Sequence, residues 1–354
     1  MRSIKGYGGQ PRRATEDLVT RCRVDLYSLP DVGHASRRER DVMSEKRFDG
    51  RVAIVTGAGS AEGIGRANAM LLAERGAKVV VNDFGVGPDG RGIERSHAEI
   101  VAQEIRDLGG EAVADTNSVA GQESARAVVQ TAIDAYGRLD ILVNNAGIAR
   151  PAEFGEASTD DIESQIAVHL MGTIWMCKAA WPVMVDQRYG RIVSTSSGAA
   201  FGARWFSIYG AAKGGILALM RNLALEGAEH GIKANSTGPF AITTAFKFFN
   251  DDVAAGRTDL PPRAVAAVVA YLCHEDCELT AEYVECGGGR AAVGVFGATA
   301  GLAAGSEITI EDVADGLDLV TDRKSFVEFP NPTVDDNTGA LALKDPSETG
   351  AVAS

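Results

Sequence analysis

The chain has 354 residues, of which 45% are hydrophobic and 23% are charged, a globular composition with room for one large domain or two small ones. Its net charge of −13 disfavours nonspecific binding to nucleic acid or to an anionic membrane. No apolar run approaches the roughly 20 residues that a membrane span needs. Because the charge disfavours these polyanions, we expect the partner to be a small molecule. Five scattered cysteines are typical of reduced thiols, so we expect a cytoplasmic protein.

The two ends of the chain differ in composition from its middle. Residues 1–47 mix Gly, Pro, Arg and acids without an apolar period, which predicts a disordered extension. This stretch has no apolar segment of a secretory signal, and its acids disfavour a transit peptide. We interpret Met43 as the natural start. Residues 329–354 are rich in Pro, Asp, Thr and Gly, which predicts a flexible tail.

Seven short, mostly β-branched segments alternate with helical stretches between residues 48 and 290. They are RVAIVTG, AKVVVND, EAVAD, LDILVNNAG, GRIVSTSS, IKANSTG and AEYVEC. Strand, helix, strand repeats predict a parallel sheet, and consecutive apolar positions are typical of strands covered on both faces. With right-handed crossovers, the pattern predicts one α/β domain over 48–290 with a doubly wound parallel sheet, a Rossmann fold.

A glycine-rich turn joins the first strand to the first helix, with glycines at Gly57, Gly59, Gly63 and Gly65. Glycines there permit positive φ and let backbone amides approach a pyrophosphate at the helix N-terminus. Asp83 ends the second strand, where an acid can accept hydrogen bonds from ribose hydroxyls. Because Asp83, and with it Glu62 in the turn, would repel a ribose 2′-phosphate, we expect the cofactor to be NAD rather than NADP.

YGAAK places Tyr209 and Lys213 four residues apart on one helix face. An ammonium about 4 Å from the phenol would stabilise the phenolate by roughly 4 kcal/mol at an effective dielectric of ~20. This would bring the tyrosine pKa from about 10 towards neutral, where it serves as a general base or acid. The preceding strand ends in Ser196 and Ser197, whose hydroxyls could hold a substrate oxygen.

These motifs together resemble the short-chain dehydrogenase/reductase family over residues 48 to about 290: TGAGSAEGIG, NNAG at Asn144 to Gly147, the TSS strand end and YGAAK. The resemblance implies that Tyr209 transfers the proton, that Lys213 binds the nicotinamide ribose and lowers the tyrosine pKa, and that Ser197 holds the substrate oxygen. It also implies a set of NAD contacts at Gly57, Ser60, Gly63, Ile64, Gly65, Asp83, Asn117, Ser118, Val119, Asn145, Ala146, Gly147, Tyr209, Lys213, Pro239 and Thr243.

Three features depart from the family pattern. Five residues separate Gly57 from Gly63 where three are usual, so the contacts of the phosphate turn are uncertain. The loop before Tyr209 is one residue short, so Ser196 fits the usual spacing while Ser197 fits the strand-end motif. His169 stands where most members have the Asn that holds a proton-relay water, and it is either a catalytic residue or a packed structural histidine.

Within the family, RFDGRV, VVVNDFG, VHL, AAWPVM and LCHEDC resemble the dehydrogenase unit of the D-specific multifunctional β-oxidation enzyme. This implies NAD-dependent oxidation of a (3R)-3-hydroxyacyl-CoA, and relatives act on hydroxysteroids or other bulky alcohols. No room remains for that enzyme's hydratase domain, and GAVAS is not a peroxisomal address. The resemblance predicts a C-terminal extension over 291–328, with a surface helix in EITIEDVADGLDLVTD.

Several secondary expectations concern the substrate pocket, metals and assembly. The aromatic side chains expected to line the pocket are Phe201, Trp205 and Phe206, with Phe240 beside the nicotinamide. CHEDC lacks a second ligand pair, so we expect no metal. The family's dimer helices, here LMGTIWMCKAAWPVM and YGAAKGGILALMRNLALEG, predict a homodimer or homotetramer. A non-catalytic dinucleotide-binding protein is the remaining alternative, which the intact Ser, Tyr and Lys disfavour.

Overall fold

The computed structural model describes residues 45–94, 96–249, 260–303 and 307–329. The disorder expected before residue 45 and the tail expected after residue 329 concern residues outside these ranges. Within the described ranges, no helix combines the length and the hydropathy that crossing a membrane requires.

An eight-stranded sheet forms the centre of the fold. Its strands are β1 (Val52–Thr56), β2 (Lys78–Asn82), β3 (Glu111–Asp115), β4 (Ile141–Asn144), β5 (Gly190–Thr195), β6 (Ile232–Phe240), β7 (Tyr283–Gly287) and β8 (Arg290–Gly294). The order is β3-β2-β1-β4-β5-β6-β7-β8. All pairs from β3 to β7 are parallel, and β8 is antiparallel to β7. The predicted doubly wound parallel sheet is confirmed.

Ten helices in the described ranges follow the strands or the C-terminal turns. They are α1 (Ile64–Glu74), α2 (Ser96–Asp107), α3 (Gln122–Tyr136), α4 (Thr159–Ile166), α5 (Gly172–Gln187), α6 (Ser207–Gly227), α7 (Thr244–Phe249), α8 (Pro262–Cys273), α9 (Ile310–Asp315) and α10 (Leu317–Val320). A π-helical turn, Ala167–Met171, joins α4 to α5. Such turns are rare and occur often at functional sites.

Two hydrophobic cores cover the two faces of the sheet. One packs α1, α2 and α8 against the sheet through side chains such as Leu72, Ile105 and Val269. The other packs α3, α5 and α6 through side chains such as Val128, Met176 and Met220. The buried thiol of Cys177 belongs to the second core, and the thiols of Cys273, Cys277 and Cys286 belong to the first. Helices on both faces explain why the central strands are apolar at consecutive positions.

The sequence did not predict strand β8. It follows β7 through a two-residue turn in which Gly288 and Gly289 have φ of 56° and 77°. Positive φ at both central residues is the geometry of a tight β-hairpin, and glycine favours it strongly. The GGGR sequence was therefore a usable signal for an antiparallel edge strand.

The C-terminal segment differs from the single surface helix that the sequence predicts. Thr309 caps α9 with a capping box, and Gly316 separates α9 from α10. Two further short strands, β9 (Gly297–Thr299) and β10 (Phe326–Glu328), pair with each other. The apolar side chains of these helices are exposed, Ile310 by 85%, so they do not pack on the domain as an amphipathic surface helix would.

Candidate active site

The glycine turn lies at the carboxyl end of β1, where a doubly wound sheet places its ligands. Gly57 has a φ of 63°. A Cβ on Gly65 would lie 2.3 Å from the carbonyl oxygen of Gly57 and 2.5 Å from Nδ2 of Asn145. That Nδ2 atom donates to the carbonyl oxygens of Thr56 and Gly57 at 3.0 Å each. The start of α1 is thus pressed against the turn, as phosphate binding at a helix N-terminus requires.

We predict that Gly65→Ala weakens NADH binding at least tenfold, because the added Cβ collides with backbone and displaces the turn. The measurement is NADH fluorescence titration. Gly155→Ala is the matched control: this exposed glycine has open space where a Cβ would be added, so its affinity should stay within twofold of the parent. If Gly65→Ala binds NADH with parental affinity, the prediction that the dinucleotide binds at this turn is wrong.

Asp83 lies just beyond β2 with its carboxylate fixed by two backbone amides. Oδ2 accepts a hydrogen bond from the N–H of Gly59 and Oδ1 accepts one from the N–H of Gly85, each at 2.7 Å. Each oxygen keeps a second acceptor site, so the carboxylate can also receive ribose hydroxyls. These residues fit a dinucleotide with a free ribose 2′-hydroxyl.

Glu62 has an ion-pair partner that the sequence did not predict. Its Oε2 lies 2.5 Å from Nζ of Lys247 on α7, which reduces the negative charge that Glu62 adds to that of Asp83. The turn is two residues longer than is usual in the family, and the sequence carries no signal for this partner 185 positions away.

The residues expected beside the adenine ring hold the end of β3. Asn117 donates its backbone N–H and its Nδ2 to the carboxylate of Asp115, both at 2.9 Å. Ser118 accepts a hydrogen bond from the N–H of Ala120. Val119 is buried in the core beside α5. The backbone N–H and the side-chain nitrogen of Asn117 thus have a structural partner. Its side-chain oxygen, Oδ1, is the atom left for an adenine contact.

Thr56 connects the end of β1 to the segment after β4. Its Oγ1 accepts the N–H groups of Asn145 and Ala146 at 3.0 and 3.1 Å. Gly147 lies against His169, since a Cβ there would be 2.5 Å from Cε1 of the imidazole. The predicted cofactor residues after β1 and β4 therefore form one continuous surface. In the turn itself, the N–H of Gly63 donates to the carbonyl of Ser60 and Ile64 begins α1.

Ser197, Tyr209 and Lys213 meet at the carboxyl end of β5. The Ser197 side chain lies near enough to Tyr209 to favour its phenolate, and its Oγ accepts the N–H of Ala199 in the first turn after the strand. The Nζ atom of Lys213 donates to the carbonyl of Thr195 at 2.5 Å and lies 5.4 Å from the Tyr209 ring centre. Spacing of four residues on α6 places both side chains over the same strand end.

The structure separates the two serines that the sequence left as alternatives. Ser196 is buried and donates its hydroxyl to the backbone carbonyl of Lys213 at 2.9 Å. Ser197 is the serine beside Tyr209. The geometry therefore favours Ser197 for holding a substrate oxygen, and Ser196 fixes α6 to β5.

The expected pKa of Tyr209 near neutral is wrong for the protein alone. Burial raises the pKa of Tyr209, and the nearby Ser197 side chain only partly opposes this. Burial also lowers the pKa of Lys213 to about 7, so the ammonium that was expected to stabilise the phenolate is itself desolvated. The sequence argument counted the Coulomb attraction of the pair and omitted the cost of desolvating both groups.

His169 lies in the π-helical turn with its ring edge-on to Tyr209, the two ring centres 5.0 Å apart. Nε2 is 2.6 Å from the carbonyl oxygen of Ile148 and 3.2 Å from the backbone nitrogen of the same residue, and these two contacts belong to opposite tautomers. Nδ1 is buried without a partner among the described residues. Burial, then the charge of Lys213, lowers the pKa of His169 to about 3. The imidazole is therefore neutral, and it presents an unpaired Nδ1 near the catalytic group.

The β6 segment supplies the remaining predicted cofactor residues. Pro239 belongs to β6, and Thr243 accepts the N–H of Phe246 in the first turn of α7. Phe240 is 41% exposed and packs edge-on against Phe246. This segment lies beside β5 and its Ser197.

The predicted pocket aromatics divide into two groups around Tyr209. Trp205 lines a small cavity beside Tyr209, and Phe206 packs against the Tyr209 ring at 5.7 Å between centres. Phe201 instead contacts Tyr283 and Phe296. The sequence analysis missed the last two residues because they follow the motifs that define the family. It also missed Phe154 and Gln165, which line the Trp205 cavity together with Arg150.

CHEDC has a structural role at the opposite edge of the sheet. The Nδ1 atom of His274 accepts the N–H of Asp276, and Nε2 lies 3.1 Å from the carbonyl of Arg47. Both imidazole nitrogens thus have protein partners, while Cys273 and Cys277 are buried.

A family model described as short chain dehydrogenase matches residues 51–252. The chain is 44% identical over 281 residues to peroxisomal multifunctional enzyme type 2 of Drosophila melanogaster, covering 78% of this chain and 46% of that protein. It is 41% identical over 276 residues to a protein of Mycobacterium tuberculosis named as a short-chain type dehydrogenase/reductase, covering 77% of this chain and 94% of that protein.

Two solved structures resemble the fold. The full-length Drosophila melanogaster enzyme has a TM-score of 0.66 at 36% identity, over 83% of this chain and 49% of that chain. A short chain dehydrogenase from Mycobacterium avium has a TM-score of 0.66 at 35% identity, over 77% of this chain and 96% of that chain. The chain thus spans less than half the length of the multifunctional relative. With this fold and these motifs, the chain belongs to the short-chain dehydrogenase family and is an oxidoreductase that acts on CH–OH groups.

Proposed function

We propose that the protein interconverts a secondary alcohol and a ketone with NAD(H), and that its substrate is a (3R)-3-hydroxyacyl-CoA. The observation that carries the proposal is the meeting of Ser197, Tyr209 and Lys213 at the end of β5. This group lies on the same edge of the sheet as the glycine turn and Asp83, which supports dinucleotide binding beside it. The two amides that hold the Asp83 carboxylate support NAD over NADP.

Each catalytic side chain has a distinct task in alcohol oxidation. Bound NAD supplies the hydride acceptor. Ser197 orients the substrate oxygen by a hydrogen bond, and Tyr209 takes the hydroxyl proton at its phenolic oxygen. Lys213 stabilises the phenolate when the lysine amine is protonated, and Nδ1 of His169 is available to hydrogen-bond a group that passes protons to the solvent. Ketone reduction uses the same atoms in the opposite direction.

The relatives' names support a dehydrogenase, and one of them supports an acyl-CoA substrate. A peroxisomal hydratase-dehydrogenase-epimerase of Saccharomyces cerevisiae is 38% identical over 245 residues. Another, 39% identical over 194 residues, is a subunit of (2S)-[(R)-hydroxy(phenyl)methyl]succinyl-CoA dehydrogenase of Thauera aromatica. A hydroxysteroid or another bulky alcohol is the second candidate, favoured by the apolar lining from Phe154, Trp205 and Ile208 beside Tyr209.

NADH formation at 340 nm tests the proposal. The purified chain is given NAD with a (3R)-3-hydroxyacyl-CoA or with a hydroxysteroid, and NADP replaces NAD as the cofactor control. Acyl-CoA turnover that requires the CoA portion supports the proposal. Turnover of the steroid alone indicates that the substrate is a hydroxysteroid or another bulky alcohol. No turnover with either substrate, despite measurable NAD binding, contradicts the substrate assignment and leaves the non-catalytic alternative.

We predict that kcat/KM for alcohol oxidation rises with pH from 7 to 9. Burial raises the pKa of Tyr209, so the phenolate that accepts the proton becomes more abundant as pH rises, and loss of the Lys213 proton, whose pKa is lowered to about 7, offsets only part of this gain. Ketone reduction needs the protonated phenol and should not rise over this range. His169 should give no step near pH 6.5 because its pKa is lowered to about 3. Matched pH profiles in both directions provide the measurement, and an oxidation rate that falls with pH would contradict it.

The expectations for assembly and location remain proposals. The apolar residues of α5 and α6, including Trp175, Trp181 and Leu219, are only partly buried within the chain, which supports a homodimer or homotetramer through these helices. A monomeric elution volume would contradict it. Several relatives carry peroxisomal names, while the sequence here predicts a cytoplasmic protein. Imaging of a fluorescent fusion of the full chain distinguishes these locations.

A further inference from the structure

An acidic side chain lies in the turn where the dinucleotide phosphates are expected to bind. Glu62 is in the lengthened stretch between Gly57 and Gly63, and Gly63 caps α1, which begins at Ile64. Two unit charges about 4 Å apart interact by roughly 1 kcal/mol even at the dielectric constant of water. An uncompensated Glu62 would therefore repel a bound pyrophosphate.

Lys247 compensates this charge from another part of the fold. Its Nζ atom lies 2.5 Å from Oε2 of Glu62, and the two residues are 185 positions apart. The Glu62 side chain is 54% exposed and the Lys247 side chain is 42% exposed. The backbone N–H of Lys247 donates to the carbonyl of Thr243 at 2.9 Å, which fixes the lysine on α7.

The contact crosses the edge of the sheet that carries the proposed active site. Glu62 follows β1 and Lys247 follows β6, and the strand order places β4 and β5 between them. Three strand spacings amount to about 14 Å. The segment that reaches Glu62 must therefore pass the carboxyl ends of β4 and β5, which lead to Asn145 and Ser197. These are the strand ends beside which a dinucleotide lies in this fold.

Among the described side chains of α7, the apolar contacts are made by Phe246, which also packs against Phe240. Ile242, Phe246 and Leu260 form a small cluster that is separate from the two main cores. The N–H of Ile242 donates to the carbonyl of Leu260 at 2.9 Å. A short element with few buried contacts opens at low free-energy cost, so one added ion pair changes its closed fraction measurably.

We infer that the Glu62–Lys247 ion pair is a latch that retains the bound dinucleotide. In the closed arrangement it holds α7 across the crevice and neutralises the carboxylate in the phosphate turn. When the pair opens, the carboxylate is uncompensated and favours release. Both residues act through the position of α7 and the charge of the turn, so they are positioning residues. The inference rests on the proposed NAD-binding function.

The test measures NADH dissociation by stopped-flow fluorescence in Glu62→Gln, Lys247→Gln, the double variant and the charge swap Glu62→Lys with Lys247→Glu. Exposed ion pairs are worth up to about 1 kcal/mol. Lys247→Gln loses the pair and leaves Glu62 uncompensated, so its dissociation rate should rise about fivefold. Glu62→Gln and the double variant lose only the pair and should rise about twofold. The charge swap should return the rate to near the parental value, and these differences should shrink at high salt.

The control is a second exposed pair of similar geometry. Arg263 on α8 and Glu74 on α1 lie 2.7 Å apart and are 189 residues apart in the chain. Because this pair does not cross the crevice, Arg263→Gln should leave the dissociation rate unchanged.

Two results would overturn the latch, and they differ from failure of the proposed function. If the parent binds NADH and the variants release it at the parental rate, the pair has no role in retention. If Glu62→Gln binds NADH more tightly than the parent, Lys247 is instead a phosphate ligand that Glu62 restrains. A parent that binds no NADH overturns the proposed function and the latch together.

Discussion

Tyr209→Phe should lower kcat about 1000-fold in both directions, because positioned acid–base groups contribute roughly 100- to 10,000-fold. The substitution removes only the phenolic oxygen, which lies near Ser197. The ring remains packed between His169 and Phe206. NADH affinity should therefore stay within twofold of the parent. The measurements are initial rates with the best substrate and NADH fluorescence titration on the same preparation.

Tyr271→Phe is the matched control for this substitution. Tyr271 is on α8 and is 46% exposed, far along the chain from the catalytic group. It should keep parental rates. Parental turnover in Tyr209→Phe would contradict the assignment of Tyr209 as the proton-transfer residue. Loss of turnover together with loss of NADH binding would indicate that the site has collapsed.

Asp140→Ala should cause a large loss in the free energy of unfolding. The Asp140 side chain is fully buried just before β4 and accepts hydrogen bonds from Arg51, Arg138 and the backbone N–H of Val52. The side chains of Arg51 and Arg138 are 24% and 42% exposed, so they regain some hydration when the carboxylate is removed. We therefore expect a loss of about 2–3 kcal/mol in the free energy of unfolding, below the full cost of stranding a buried charge.

Asp134→Ala provides the comparison. Asp134 is exposed on α3 and accepts one hydrogen bond, from Gln130, so its removal should change the unfolding free energy by less than about 0.5 kcal/mol. Urea unfolding at matched protein concentration measures both variants. Equal midpoints for the two would mean that the Asp140 network contributes no net stability.

Local patterns were sufficient to predict the sheet and the central catalytic group. Alternating strands and helices define the parallel order, and a four-residue spacing is enough to place Tyr209 beside Lys213. The glycine turn was predictable for the same reason, since only glycine tolerates the close approach of Gly65 to the Gly57 carbonyl. These signals are short in sequence and do not depend on distant parts of the chain.

The remaining features depend on contacts between distant segments. Glu62 contacts Lys247 only because the carboxyl ends of the parallel strands β1 and β6 lie along the same edge of the sheet. No local sequence pattern predicts that pairing. The raised pKa of Tyr209 follows from desolvation by the assembled fold, whereas the sequence shows only the nearby lysine. The π-helical turn at His169 lies against the distant residues Tyr209 and Gly147 and likewise has no sequence signature of its own.

The distribution of the buried thiols gives the fold a built-in reporter of its opening. Only the thiolate reacts with maleimide or disulfide reagents, and burial raises the pKa of Cys177, Cys273 and Cys286. Cys177 lies on one face of the sheet, and the other two lie on the opposite face. The relative rates at which a reagent labels these positions therefore tell which helical layer separates from the sheet first when the native state fluctuates.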